Sequence, residues 1–519
     1  SNGVATSGLI SITGNSTISN SSVFTAGPGN ISFTGDLSGT TVGVSDLTFK
    51  NTGSISVGSL GQGTNGTLKD VLIDGNAASF ATSVATGSNG GIKATSFKTG
   101  SNIVVQGAIT VVGQQTYGNV AGTNDVALSS IGNIVLNTQD ITSVGNLSLT
   151  SSGGNISLRA VTGTGDAIFS HNVGTLNLEG NLFARSFSEA ASAAAVNIGA
   201  STSVTLNIST GDVAFNSGVV LINDAIITTA SNSNVSFQRT LKGGATNTLR
   251  NLNFNNAGNV AFVGSVGGSG SVAGTAERIG NITIGSSSLF GLSASGTDFK
   301  AASLVTTNPV LGNVSLTSTL LDLTGGAGLN LATNNDGHVV SLAKVSGGTG
   351  YTNNGIYNLT GGAGSGATVK VTTDSSGVIT SLNNPLTYGT GYTDGGSYTL
   401  TGGPGSGALV TVTSNVSSNI ALGVTNLNST GGLTLTSSTA DTVTLTGNIT
   451  SALGIAQNGL VDVTLGATSA ITITTAASSG AIFAGNLVVA QNTQMNVGGG
   501  ITITGTINSV DSNNIRSLG

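Results

Sequence analysis

One short unit recurs along this chain and limits what it can fold into: Gly-Asn, an apolar residue, any residue, and a second apolar residue. It reads Gly29-Asn30-Ile31-Ser32-Phe33 near the start and Gly132-Asn133-Ile134-Val135-Leu136 further on. It returns as Gly145-Asn146-Leu147-Ser148-Leu149, Gly154-Asn155-Ile156-Ser157-Leu158, Gly280-Asn281-Ile282-Thr283-Ile284, Gly312-Asn313-Val314-Ser315-Leu316 and Gly485-Asn486-Leu487-Val488-Val489. The period of two puts both apolar side chains on one face of a strand and the Ser, Thr or Asn between them on the other. Gly and Asn tolerate positive φ, so the pair reads as a turn. Each unit is therefore a turn followed by a short strand.

Composition decides what such units can build. Charged residues are 7%, against about 25% in ordinary globular domains, and Gly numbers 81 of 519. A disordered linker is excluded by the 38% of hydrophobic residues and their alternating placement. Collagen is excluded because Gly lacks a three-residue period and Pro numbers 4. A formal charge of −6 and 14 dispersed basic residues give no footprint for a nucleic acid. No apolar run approaches the roughly 20 residues of a membrane-spanning helix. With no Cys there is neither a disulfide framework nor a thiolate metal site. Ser1 stands where an initiator Met would, and no signal-peptide pattern follows, so the chain reads as a processed product.

Short strands at this spacing suggest a sandwich or a solenoid. The unbroken run of units, the 4% of aromatics and the Val, Ile, Leu, Ala and Gly at inward positions favour the solenoid. The expected fold is all-β: a right-handed parallel β-helix with coils of about 20–30 residues, each stacked on the one before. At about 4.8 Å per rung, some twenty coils make a rod on the order of 100 Å long. Phe187 to Val196 is the best helix candidate, read either as one or two helical turns or as a small-residue loop.

Residues 331–413 break the pattern with a tandem repeat offset by 41 positions. Gly348-Thr349-Gly350-Tyr351-Thr352, Tyr357 and Gly361-Gly362-Ala363-Gly364-Ser365-Gly366-Ala367 form the first copy. Gly389-Thr390-Gly391-Tyr392-Thr393, Tyr398 and Gly402-Gly403-Pro404-Gly405-Ser406-Gly407-Ala408 form the second. The expected organisation is a β-helix over 1–330, an inserted β module over 331–413 and a β-helix continuation over 414–519. Tyr351, Tyr357, Tyr392 and Tyr398 either pack the core of the module or form an exposed platform for a sugar or partner.

The iterated Gly-Asn-Ile-x-Leu units, with Ser, Thr and Asn outside, resemble the filamentous haemagglutinin-like exoproteins and related β-helical adhesins of bacteria. The resemblance covers about 1–330 and 414–519. It implies a right-handed parallel β-helix acting in adhesion, biofilm or extracellular filaments. The usual N-terminal secretion-domain motifs of that family are not found here. The Gly-Thr-Gly-Tyr-Thr repeat is similar to modules of phage tail fibres and large bacterial surface proteins.

Because the same fold also carries polysaccharide lyases and hydrolases, the titratable residues matter. His171 and His338 read as surface residues, the first without a paired acid nearby in sequence. Glycoside hydrolysis needs two carboxylates across a groove. Here Asp36, Asp46, Asp70, Asp74, Asp140, Asp166, Asp212 and Asp224 are spread thinly beside turn residues and read as turn caps. Scattered Asp turns offer the only route to calcium, and no other cofactor is expected. Asn-x-Ser/Thr sequons, such as those at Asn146, Asn155 and Asn313, arise automatically from the repeat, and the Asn reads as structural rather than glycosylated.

The functional expectation is a secreted or cell-surface structural and adhesive protein, not an enzyme, whose partner is itself in a head-to-tail homopolymer. Surface glycans gripped by the 331–413 module are a second candidate partner. A tail-fibre-like protein and a polysaccharide-degrading enzyme are further alternatives.

Overall fold

A computed structural model describes the chain except residues 1, 6–7, 52–53, 65, 75–78, 83–91, 100–102, 106–107, 112–114, 117–119, 123–125, 131, 137–140, 144, 200, 231–232, 245–247, 256–257, 269–276, 287–288, 290, 416–417, 438–440 and 511–518. The described residues form strands and turns with no helix, wound as a parallel β-solenoid of about 19 turns. Two compact units result: Ser1–Thr228 with Phe237–Gly244, and Thr229–Ser236 with Ala245–Gly519.

In the first unit a coil consists of three short strands. Leu147–Ser151, Ile156–Leu158 and Val161–Gly163 make one, and Ala167–His171, Leu176–Leu178 and Leu182–Ala184 make the next. Equivalent residues pair in parallel: Leu147 with Ala167, Ile156 with Leu176, Val161 with Leu182. The alternation read in the sequence is the alternation of burial: Ile156 and Leu158 are buried, and Ser157 between them is only partly so. Each such aliphatic side chain contributes about 1.5–3 kcal/mol by leaving water. The larger core positions hold a phenylalanine stack, Phe169, Phe187, Phe215 and Phe237, with successive centroids 5.5, 4.8 and 5.0 Å apart. Phe187–Glu189 and Val196–Ile198 are strands. The helical alternative for this segment fails because its Ala and Ser residues form the turn between two strands of one coil, held by backbone bonds to the coil before.

The Gly-Asn pair has a different cause from the one expected. Gly29, Gly154 and Gly485 are absent from the positive-φ residues, and Asn354 is the one asparagine with positive φ among the described residues. What these glycines supply is approach. A Cβ at Gly154 would lie 2.2 Å from the carbonyl carbon of Gly132 one coil below, and at Gly485 1.8 Å from the Val461 oxygen. The asparagine supplies an acceptor. Asn133 Oδ1 takes the backbone N–H of Asn155 at 2.7 Å, and Asn155 Oδ1 takes that of Thr175 at 2.8 Å. Asn313 and Asn486 do the same for Asn419 and Thr506. The side-chain ladder thus continues the hydrogen bonding of the strands around the corner, where the backbone alone leaves a donor unpaired. Gly154→Ala is therefore expected to cost about 1–3 kcal/mol, read as a shift in urea midpoint. Gly500→Ala, where a Cβ meets nothing within 4 Å, should stay within about 0.5 kcal/mol. Equal effects at the two positions would refute close approach as the reason for glycine.

In the second unit the parallel ladder runs past an inserted segment as if it were absent. Val314 pairs with Ile420 and Leu320 with Asn426. The coil strand before the insertion extends to Ala332, and a separate six-stranded antiparallel sheet then spans Val339–Thr349 to Ser406–Ser414. Its central strands are the two equivalent strands of the tandem repeat, with Leu359 opposite Leu400. Lys344 Nζ donates to the carbonyls of Ile379 and Thr380 at 3.1 and 3.3 Å, tying one edge strand to the other.

Candidate functional site

Among the described residues of the first unit, buried polar side chains gather where strands turn. At one corner Ser130, Ser151 and His171 stack in register on successive coils. Ser151 Oγ receives the Gly154 N–H at 3.0 Å and lies 2.8 Å from the carbonyl oxygens of Gly132 and Gly154. His171 does the same work with a larger group. Its Nδ1 is 2.8 Å from the Gly174 oxygen, and its Nε2 is 3.0 Å from Glu189 Oε1.

Glu189 lies one coil further on and is the hub of the cluster. Its Oε2 accepts the backbone N–H groups of Asn216 and Ser217 at 2.8 and 2.9 Å. The Ser217 hydroxyl also donates to Oε1, and in turn accepts the Ser192 N–H at 2.7 Å. His171, Glu189 and Ser217 are all buried. Burial alone would push the Glu189 carboxyl up, but the bonds from His171, Ser217 and Asn216 outweigh it and hold it below the usual carboxylate range.

These are the residue types of a hydrolase triad, but their order is not that of nucleophilic catalysis. The carboxylate sits between the imidazole and the hydroxyl, so the serine faces the glutamate and not the imidazole. All three are shut away from any substrate, and the chemistry available to them is cohesion between coils. Placing His171 on the surface without an acid is thus corrected. The missing signal was the coil length: Leu147 pairs with Ala167 and Ala167 with Phe187, so Glu189 falls about one coil beyond His171.

Within the module the four tyrosines are 2–3% exposed and form its core with Val369, Val371, Val410 and Val412. They offer no exposed platform, which removes that reading of Tyr351, Tyr357, Tyr392 and Tyr398. Each copy completes the other. Tyr351 Oη takes the Ala408 N–H at 3.2 Å, and Tyr392 Oη takes the Ala367 N–H at 3.1 Å. A Cβ on Gly405 would meet the Tyr351 ring at 2.6 Å, and one on Gly364 the Tyr392 ring at 2.7 Å. Tyr357 and Tyr398 accept the N–H groups of Thr352 and Thr393 in their own copy, while their rings lie against Gly403 and Gly362 of the other.

His338 is likewise buried rather than on a strand surface. Its Nδ1 is 3.0 Å from Asp336 Oδ1, and burial is the main cause that lowers its pKa below the usual histidine value. It sits where the module leaves the coil. There Asn415 donates its N–H to the His338 oxygen at 2.9 Å, and Ser418 Oγ donates to the Asn334 oxygen at 2.7 Å.

Several of the aspartates do cap turns. Asp36 accepts the N–H groups of Gln62 and Gly63 and the Ser59 hydroxyl. Asp46 accepts the Ser21 hydroxyl; Asp70 is no turn cap but lies inside the strand Leu68–Asp74, where it accepts the hydroxyl of its ladder partner Ser96. The Arg185 guanidinium and the Ser186 hydroxyl hold Asp166 at about 2, against an ordinary 3.8. Asp212 and Asp224 lend backbone carbonyls to Phe187 and Val204 one coil below. Asp140 lies outside the described residues, and the side chain of Asp74 is not described. Among the described residues no three His, Asp or Glu side chains converge as a metal site would require. No helix there is long and apolar enough to cross a membrane.

Fold and corner ladders together define a parallel β-solenoid protein. Compared with known proteins, the chain matches no family model, no curated protein and no solved structure.

Proposed function

We propose that this chain is a structural β-solenoid of the bacterial cell surface or extracellular matrix, not an enzyme, and that copies of it stack end to end into a fibre. The observation that carries the reading is the rung-on-rung ladder within each unit: Ile156, Leu176 and Val196 pair coil to coil in the first, and Val443, Val463 and Leu487 do so in the second. Each coil is a template for the next, and a second copy supplies one in a head-to-tail contact that propagates. The surface or extracellular address rests on the resemblance in repeat style to haemagglutinin-like exoproteins.

Electron microscopy and light scattering over a concentration series test the assembly. Fibres or concentration-dependent growth in mass are expected. Monomers at every concentration would overturn the reading.

A further inference from the structure

In the first unit one aromatic ring breaks the rule that rings point inward. Phe183 is 39% exposed, whereas every other described phenylalanine with a described side chain is buried. It is the outward residue of Leu182–Ala184, between inward Leu182 and Ala184. Its rung neighbours on the same face are Thr162 below and Asn207 above.

Beside it runs a groove of about 480 Å³, within the range of small-ligand sites. Arg159, Glu179, Asn181 and the Ser201–Ser203 turn line it. Its depth has a local cause. Gly180 sits so close to the coil below that a Cβ would fall 1.7 Å from the Arg159 oxygen, while a left-handed Gly199, with φ of 80°, precedes the turn that forms the opposite wall. Asn181, which lines the groove, and Phe183 flank inward Leu182 on the outward face, their backbones about 7 Å apart along the strand. Asn181 Oδ1 is engaged by the Thr205 N–H at 2.8 Å, so its side chain offers a ligand chiefly its amide N–H donors.

We propose that this groove is a lateral binding site for a neutral oligosaccharide. An exposed aromatic face takes the C–H face of a pyranose. The opposite charges of Arg159 and Glu179 balance, and with Asn181 and Ser203 they give donors and acceptors for hydroxyls without favouring an ionic ligand. Other ligand classes fit less well. A peptide strand needs an unpaired sheet edge, but here Val161, Leu182 and Leu206 are laddered coil to coil. A nucleic acid needs clustered cations, and Arg159 is the one cation in the lining. The site goes beyond a purely structural role and does not depend on fibre formation.

The test is saturation-transfer NMR on the full chain with a panel of short cello-, malto-, manno-, galacto- and chito-oligosaccharides. Transfer to the C–H protons of at least one panel member is expected. Phe183→Ala and Arg159→Ala should each weaken it by about tenfold or more. Leu453→Ala, at an exposed position in the second unit, should leave it unchanged, and all three variants should keep the parent circular dichroism. No transfer to any panel member overturns the proposal. So does binding that persists undiminished in both Phe183→Ala and Arg159→Ala.

Discussion

Glu189→Ala is expected to remove about 3–5 kcal/mol from the first unit, because it strips a buried polar hub and leaves its donors facing nothing. His171 Nε2 and the backbone N–H groups of Asn216 and Ser217 all lose their acceptor. With Glu189 they span three successive coils, so the loss should be felt as separation of rungs rather than of one strand. Hydrogen exchange of the amides from Phe187 to Leu221, with urea unfolding alongside, reads it. Glu189→Gln keeps an acceptor oxygen and should cost less. The sign with pH follows from the lowered carboxyl. The stabilisation is complete above the ordinary glutamate value of about 4.5 and is lost as the pH falls through the native value below it. Alanine should therefore flatten the acid limb of the stability profile. A change under about 0.5 kcal/mol at neutral pH would show that the cluster does not hold the coils together.

The second large effect belongs to the inserted module. Tyr351→Ala and Tyr392→Ala should each cost about 3–5 kcal/mol, the range for emptying a buried aromatic site. Tyr351→Phe and Tyr392→Phe keep the ring and lose only the hydroxyl. They strand the buried N–H of Ala408 or Ala367, worth about 1–3 kcal/mol. Because each of these tyrosines is seated on the glycines of the opposite repeat, damage should not stay in its own copy. Near-ultraviolet circular dichroism, which reports tyrosine packing in a chain without Trp, should collapse for the whole module in either alanine variant. The parallel coils should keep their far-ultraviolet signal, since Val314 and Ile420 pair without help from the insert. Loss of only half the tyrosine signal would disprove mutual dependence of the copies.

The coil pattern was legible because it obeys local rules. Ile156-Ser157-Leu158 alternates in sequence as it does in burial, and period two needs no knowledge of partners. What the Gly-Asn pair does was less legible, because its reasons lie one coil away. A backbone oxygen under Gly485 and an N–H over Asn155 are contacts between residues about twenty positions apart. Glu189 was missed for the same reason: nothing near His171 in sequence announces it. The tyrosines were visible as a duplicated set, but not their exchange between copies. Phe183 could have been found, since an aromatic between Leu182 and Ala184 occupies the outward slot of an alternating strand.

The uninterrupted pairing of Val314 with Ile420 has a consequence for how such chains diversify. The segment between them departs and returns within a single turn of the winding, clamped where Asn415 bonds to His338 and Asn334. Length of the scaffold and choice of appendage are thereby decoupled. A different folded unit grafted between Asn334 and Asn415 would be carried as cargo, and turns could be added elsewhere without re-engineering what the appendage does.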